Sequence, residues 1–295
     1  MKVAYYPGCS LHATARAYDE SIRSIAGLMN LTLEEIDDWS CCGSSSAHPV
    51  SRRLAVALAA RNLALAEAQG LEEVVAPCAA CYNRLAGARH AVAEDAGLAR
   101  EMPAILGRPF ENRVAVRNVV QLLRASAPAI GQKIARPLKG LKVACYYGCL
   151  LVRGEGVAEF DDAEQPTSME EVVKACGATP VKWNMAVECC GGSFSISRTG
   201  SVVRLGRAIL MDARKAGADL VLVACPMCHS NLDFRQQAMM RRGENGMPIL
   251  FITELVGLAL GLDGGPLGLE RHFVSTAPVL AKLAGAAGQS QKEAH

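Results

Sequence analysis

Apolar positions along the chain follow two periods. Short runs of branched and aromatic residues, "KVAYY" (2–6) and "LKVACYY" (141–147), lead into Gly-Cys, and "LEEVVAPC" (71–78) and "ADLVLVACP" (218–226) lead into a cysteine. Runs of this length bounded by loop residues predict strands, and the more uniformly apolar last two predict strands buried in a parallel sheet. Between them the period lengthens. "SRRLAVALAARNLALAEAQ" (51–69) and "SVVRLGRAILMDARKAG" (201–217) carry apolar residues at helical spacing, and Gly217 stops the second. Strands alternating with helices predict an α/β fold of parallel βαβ units. Ligands of such sheets sit beyond the carboxyl ends of the strands, where Cys9, Cys78, Cys149 and Cys225 fall.

The pattern runs through the chain twice. "VAYYPGC" (3–9) matches "VACYYGC" (143–149), "SCCGSSS" (40–46) matches "ECCGGSF" (188–194), and "LEEVVAPCAACYNRL" (71–85) matches "ADLVLVACPMCHSNL" (218–232). The offset is 140 residues at the first cysteine and 147 or 148 at the later ones, which assigns a short insertion in the second half to "EFDDAEQPT" (159–167). The chain therefore reads as a tandem duplication with a pseudo-twofold relation between halves. The first domain is expected over 1–126 and the second over 142–283, each with one site. A linker, 127–141, around "APAIGQKIARPLKG", is expected to join them, and a flexible tail, 284–295, to follow.

Composition narrows the chemistry. A chain of 295 residues, 51% hydrophobic and 20% charged, can bury a sizeable core. A net charge of +2 with no Lys/Arg run gives no footprint for nucleic acid or an acidic membrane surface. The N-terminus "MKVAYYPGCS" lacks a long apolar region, and "MPILFITELVGLALGL" (247–262) is too short to span a bilayer and carries Glu254. A cytoplasmic location is expected, with membrane contact only through a partner. No Gly-rich dinucleotide fingerprint follows a strand.

Twelve cysteines in such a chain point to metal binding or redox chemistry rather than disulfides. Ten of them form two sets of five: Cys9, Cys41, Cys42, Cys78 and Cys81, then Cys149, Cys189, Cys190, Cys225 and Cys228. The spacings are C-x31-C-C-x35-C-x2-C and C-x39-C-C-x34-C-x2-C. Neighbouring side chains on a strand point to opposite faces, so an adjacent pair serves one site only where the backbone turns. Gly43, and Gly191 with Gly192, are expected to supply that turn through positive φ and to let backbone approach a bulky inorganic group. Five ligands overfill both a structural zinc site and an ordinary cubane cluster. Either one cysteine per set is a bystander, or each half holds a larger or opened cluster in which one sulfur bridges two irons. Cys145 and Cys176 lie outside the pattern and read as core residues. His48 and His229 are candidate proton donors, although His229 starts a helix, where a capping or packing role competes. Arg153 and Arg198 are candidates to hold an anionic substrate, weighed against ordinary surface roles. Lys182 and Trp183, before the second pair, are given no role.

The doubled pattern resembles the tandem CCG domain of the B-type subunit of heterodisulfide reductase, from about residue 1 to the helix near 260. The resemblance implies that each set of five cysteines binds a noncubane [4Fe-4S] cluster and that a disulfide is cleaved between the two. It implies two partners, a ferredoxin-like subunit with cubane [4Fe-4S] clusters and a flavin subunit that feeds it. The ligand roles carry over to the ten matching cysteines alone. An alternative makes the chain a non-catalytic electron-transfer or anchoring component of a larger oxidoreductase, and a lesser one puts zinc in one half. Gly191-Gly192 stands where the first half has Gly43-Ser44, so the two pockets are not expected to be identical.

Overall fold

The computed structural model describes residues 2–44, 46–154 and 160–292. As the apolar runs predict, the protein is α/β with two four-stranded parallel sheets. The first contains β1 (Lys2–Tyr5), β2 (Thr32–Glu35), β3 (Glu73–Ala76) and β4 (Ala115–Asn118) in the order β2-β1-β3-β4. The second contains β5 (Lys142–Tyr146), β6 (Thr179–Pro180), β7 (Leu220–Val223) and β8 (Ile249–Phe251) in the order β6-β5-β7-β8. In each half the chain leaves the first strand to one side and returns to the other. The crevice beyond the carboxyl ends of β1 and β3, and of β5 and β7, is therefore a topological switch point.

The predicted helices form at Arg52–Ala68 and Thr199–Lys215, and Gly217 follows the second with φ +74°. The most apolar stretch of the chain divides into β8 and the helix Ile252–Ala259, all of it buried.

One continuous core joins the halves. The helix Arg16–Leu28 of the first half packs on Ile252–Ala259 of the second, and Val119–Ala125 of the first packs on Ser168–Ala175 of the second. These are symmetry-related pairs: the helix after each first strand meets the helix after the other half's last strand. Tyr18 stacks on Phe251 with centroids 4.1 Å apart, the Ser21 and Thr253 hydroxyls lie 2.6 Å apart in the interior, and Arg124 grips Glu171 through two bonds of 2.8 Å.

Both connecting segments carry structure of their own. The linker contains the helix Ala127–Lys133, and the N–H groups of Ala135 and Arg136 both donate to the Ala259 carbonyl, strapping it to the second half. Of the segment expected as a flexible tail, 284–292 continues the helix Ala277–Lys292, whose earlier residues Val279 and Leu283 are buried one turn apart, and 293–295 lie outside the described residues. Of the insertion segment, Glu159 lies outside the described residues; Phe160 meets Tyr82 edge-on at 6.3 Å, so the segment reaches the first half.

Candidate functional site

Each site is assembled from three loops at the carboxyl end of its sheet. After β1 and β5 the chain turns through Gly8 (φ +66°) and Gly148 (φ +65°), delivering Cys9 and Cys149. A Cβ on Gly8 would lie 2.9 Å from the Cys81 sulfur, and one on Gly148 would lie 3.1 Å from the Cys228 sulfur. Neither position admits a side chain without displacing a thiol. Cys78 and Cys225 cap the helices Ala79–Glu94 and Pro226–Asp233, with Cys81 and Cys228 in their first turns.

The adjacent pairs divide their labour. Cys42 lies 3.6 Å from Cys81 and Cys190 lies 3.5 Å from Cys228, while the exposed Cys41 and Cys189 engage Cys9 and Cys149. The required turn is present: Gly43 and Gly191 adopt φ +76° and +79°. Gly192 departs from expectation. It has no positive φ and instead opens a short 3-10 turn, Gly192–Phe194, where a Cβ would crowd the Met227 methyl at 3.2 Å. Its smallness, not its backbone freedom, is what this position uses.

The two sets meet. Cys78 and Cys225, both fully enclosed, lie close enough across the boundary between halves to act on each other, raising the Cys78 pKa and lowering that of Cys225, and each also feels Cys81 or Cys228 of its own set. A hydrogen bond with Cys81 pulls the Cys42 thiol down to about 7, and one with Cys149 pulls Cys189 down to about 5, helped by the Gly191 N–H at 3.3 Å. Each half thus offers a thiolate near neutral pH, the form that binds metal.

Donor type and spacing test what the sets can hold. Thiolates alone suit iron–sulfur clusters or zinc. A single tetrahedral zinc at ~2.3 Å from each sulfur would gather four sulfurs within roughly 3.8 Å of one another. Among the described residues no three of these sulfurs come within 4.8 Å of one another. Pairs of thiols spread around a space fit a polynuclear cluster.

Residues beyond the cysteine pattern hold these loops. The equivalent tyrosines Tyr6 and Tyr146 donate to the carbonyls of Ser40 (2.7 Å) and Glu188 (2.6 Å), each the residue before a cysteine pair. Trp39 and Trp183 lie against those rings, and the Trp183 indole donates to the Cys145 carbonyl at 3.0 Å. Trp183 therefore has a structural role that its sequence context did not reveal. Cys145 and Cys176 are buried core residues, as expected.

A cavity of about 320 Å³ lies between the halves. All five cysteines of the second set, Cys149, Cys189, Cys190, Cys225 and Cys228, line it, and His48, Ala79 and Arg84 reach it from the first half, whose own five cysteines do not. Of the polar candidates, His48 is thus at the cavity. His229 is not: it is buried, stacked on Phe251 at 4.3 Å, and bonded through Nε2 to His272 Nδ1 at 3.2 Å, whose Nε2 lies 2.8 Å from Glu254. Burial, with His272 beside it, drives the His229 pKa well down, so it packs as a neutral ring and not as a proton donor. Arg153 is paired with Glu164, and Arg198 stands exposed over the Phe194 ring; neither lines the cavity. Arg84, unremarked in sequence because "CYNRL" reads as an ordinary helix surface, does.

Two parallel α/β halves that each bring five thiols to a switch point, the second set lining a cavity that the first half helps to close, define a duplicated thiolate-metal protein. The chain belongs to the cysteine-rich CCG domain family, whose pattern matches residues 3–86 and again 143–233. It is 33% identical, over 92% of its length and 96% of the relative's, to the 8-methylmenaquinol:fumarate reductase membrane anchor subunit of Wolinella succinogenes. It is 27% identical to the B component of the ferredoxin/F420H2-dependent CoB-CoM heterodisulfide reductase of Methanosarcina acetivorans, over 96% and 97% of the two chains. A crystal structure of a hypothetical protein from Helicobacter pylori shares the fold, with a TM-score of 0.77 at 12% identity. That match covers 93% of this chain and 52% of the other, so this chain spans about half of that solved protein.

Proposed function

We propose that the chain is the disulfide-reducing iron–sulfur component of a heterodisulfide reductase-like complex. Cys9, Cys41, Cys42, Cys78 and Cys81 would hold one noncubane [4Fe-4S] cluster, and Cys149, Cys189, Cys190, Cys225 and Cys228 the other. The observation that supports this reading is the approach of the two sets at Cys78 and Cys225, beside a cavity lined by the second set and by His48 and Arg84 of the first half. Bound clusters supply the two electrons and the sulfur-capturing iron needed to split a disulfide, RSSR′ + 2e⁻ + 2H⁺ → RSH + R′SH. The chain's own residues shape the rest. The Gly8 and Gly148 turns hold Cys81 and Cys228 in place, Pro49, Leu150 and Met227 form an apolar part of the cavity wall that limits water, and His48 at the exposed rim is placed to pass protons in. Electrons are assigned to a ferredoxin-like subunit with cubane clusters, fed by a flavin subunit, all on the cytoplasmic side.

A second reading rests on the 33% identity to a membrane anchor subunit: an electron-transferring or anchoring role without a substrate. No helix among the described residues is long and apolar enough to cross a membrane. Any anchoring by them would therefore use the surface, where Val50 and Ile196 are strongly exposed.

One experiment separates the readings. Anaerobically purified protein is assayed for iron, acid-labile sulfide and zinc, then examined by EPR after oxidation with and without thiols. Iron and sulfide in both halves with a thiol-dependent signal is the expected result. Loaded clusters blind to every thiol would transfer the chain to the anchoring class.

A further inference from the structure

The two walls of the cavity differ in charge. No carboxylate among the described residues lines it, and the first-half wall carries Arg84 and, at the rim, His48. Arg84 extends from the helix Ala79–Glu94, three residues beyond Cys81. Its Nε is fully buried without a hydrogen-bond partner, and no carboxylate among the described residues pairs with its guanidinium. Arg124 pairs with Glu171 and Arg207 with Glu244, each at 2.8 Å, while Arg214 and Arg235, likewise half-buried without a carboxylate, donate to the carbonyls of Asn245 and Ser195. A guanidinium drawn partly out of water without a counter-charge is costly, and a bidentate oxyanion is the partner its fork fits best.

The duplication supplies an internal control. The position equivalent to Arg84 in the second half is Asn231. Asn231 is neutral, buried and fully used: its amide donates to the Cys190 carbonyl at 3.2 Å, and its oxygen accepts from the Ser195 hydroxyl at 2.9 Å. Where one half closes its loop with an amide, the other presents an unpaired cation to the cavity.

We propose that Arg84 is an anion subsite that orients the disulfide: one arm of the substrate carries a carboxylate-like oxyanion, which Arg84 holds so that this arm lies against the first half. The inference rests on the disulfide-reducing reading above. It makes the two ends of the cavity non-equivalent, so an unsymmetrical disulfide enters in one direction.

A competing role exists. After the hydrogen bond from Cys81, burial and a backbone N–H, the charge of Arg84 also favours the Cys42 thiolate, so the residue can act on the cluster instead of the substrate. The test separates these with three disulfides of similar size and different charge: dithiodiglycolate (anionic), bis(2-hydroxyethyl) disulfide (neutral) and cystamine (cationic). Cluster-loaded wild type and the R84Q and R84K variants, matched for iron and sulfide, are assayed with reduced viologen as donor. The concentrations of mercaptoacetate and 2-mercaptoethanol that half-saturate the thiol-dependent EPR signal are measured alongside. The expected result is a wild-type preference for the anion that falls about tenfold in R84Q and is partly restored in R84K. Mercaptoacetate binding should weaken in parallel. Equal losses for all three disulfides, or an unchanged preference, would assign Arg84 to the cluster and overturn the subsite. If wild type turns over none of the three, the reductase reading falls, and the two thiol titrations still decide the subsite.

Discussion

Gly8 and Gly148 illustrate how tightly single residues are held at the site. Both combine positive φ with an approach to a cysteine sulfur, at 2.9 and 3.1 Å from the added Cβ, that leaves no room for a methyl group. Gly70 provides the comparison, because its φ is +70° but nothing lies within 4 Å of its Cβ position. Gly148→Ala and Gly70→Ala should each cost roughly 1–2 kcal/mol for the left-handed backbone. Only Gly148→Ala should also lose about half of the bound iron and sulfide, with the helical circular dichroism unchanged. Full iron content in Gly148→Ala would show that the Cys228 thiol can move aside. At this scale the grouping of the ten cysteines was legible because their spacing repeats, and His48, singled out because it follows a cysteine loop, is placed by the structure at the cavity. Gly8 and Gly148 were visible as the repeated Gly-Cys, but what they touch lies 73 and 80 residues further along. Arg84 was not legible at all, since its isolation from any carboxylate is a property of two folded halves.

Loops pinned by tyrosine are the corresponding feature of the elements. Tyr146 leaves β5 and bonds the carbonyl of Glu188, fixing the chain where it turns into Cys189 and Cys190. Tyr146→Phe should destabilise the protein by about 1 kcal/mol. It should also speed the loss of iron from the second half to a chelator, whereas the first half, held by Tyr6, releases iron as before. Equal release from both halves would mean that the cysteines alone set the loop. The strands ending at cysteines were legible in the sequence because they are apolar runs with clear stops. Edge strands were not. β2 is only partly buried, β6 is two residues long, and β8 merges with the apolar helix after it so that no change of period marks the junction.

The whole molecule depends on buried polar contacts near the boundary between halves. His272, Glu254, His229 and Asp233 tie the helices Pro226–Asp233 and Ile252–Ala259 to the segment after the 3-10 turn Leu269–Arg271. Burial pulls the His272 pKa down, but the hydrogen bond and charge of Glu254 outweigh it and leave the pKa above the ordinary 6.5. Burial raises the pKa of Glu254 and of Asp233. All three groups bind protons more tightly in the folded than in the unfolded chain. Their stabilisation is therefore complete below each ordinary pKa and is lost as pH rises through the folded values. The unfolding temperature should fall as pH rises above the ordinary carboxylate range, and again as it rises past 6.5 through the raised pKa of His272. His272→Ala should flatten that dependence and cost about 3 kcal/mol or more, because Glu254 is left buried without its partner. A melting temperature of His272→Ala that tracks wild type across the range would remove this network from the stability account.

The crossed helix pairs have an evolutionary consequence. Each half's helix after its first strand is covered by a helix belonging to the other half, so neither half buries its own apolar surface alone. An ancestor one half this long would have met the same need with a second copy of itself, as a symmetric homodimer with two identical cysteine sets meeting near its axis. Fusing the copies into one chain released each from having to match the other. Arg84 opposite Asn231 is what that freedom allows: a symmetric ancestor had to present the same residue twice, and its descendant can tell one end of a substrate from the other.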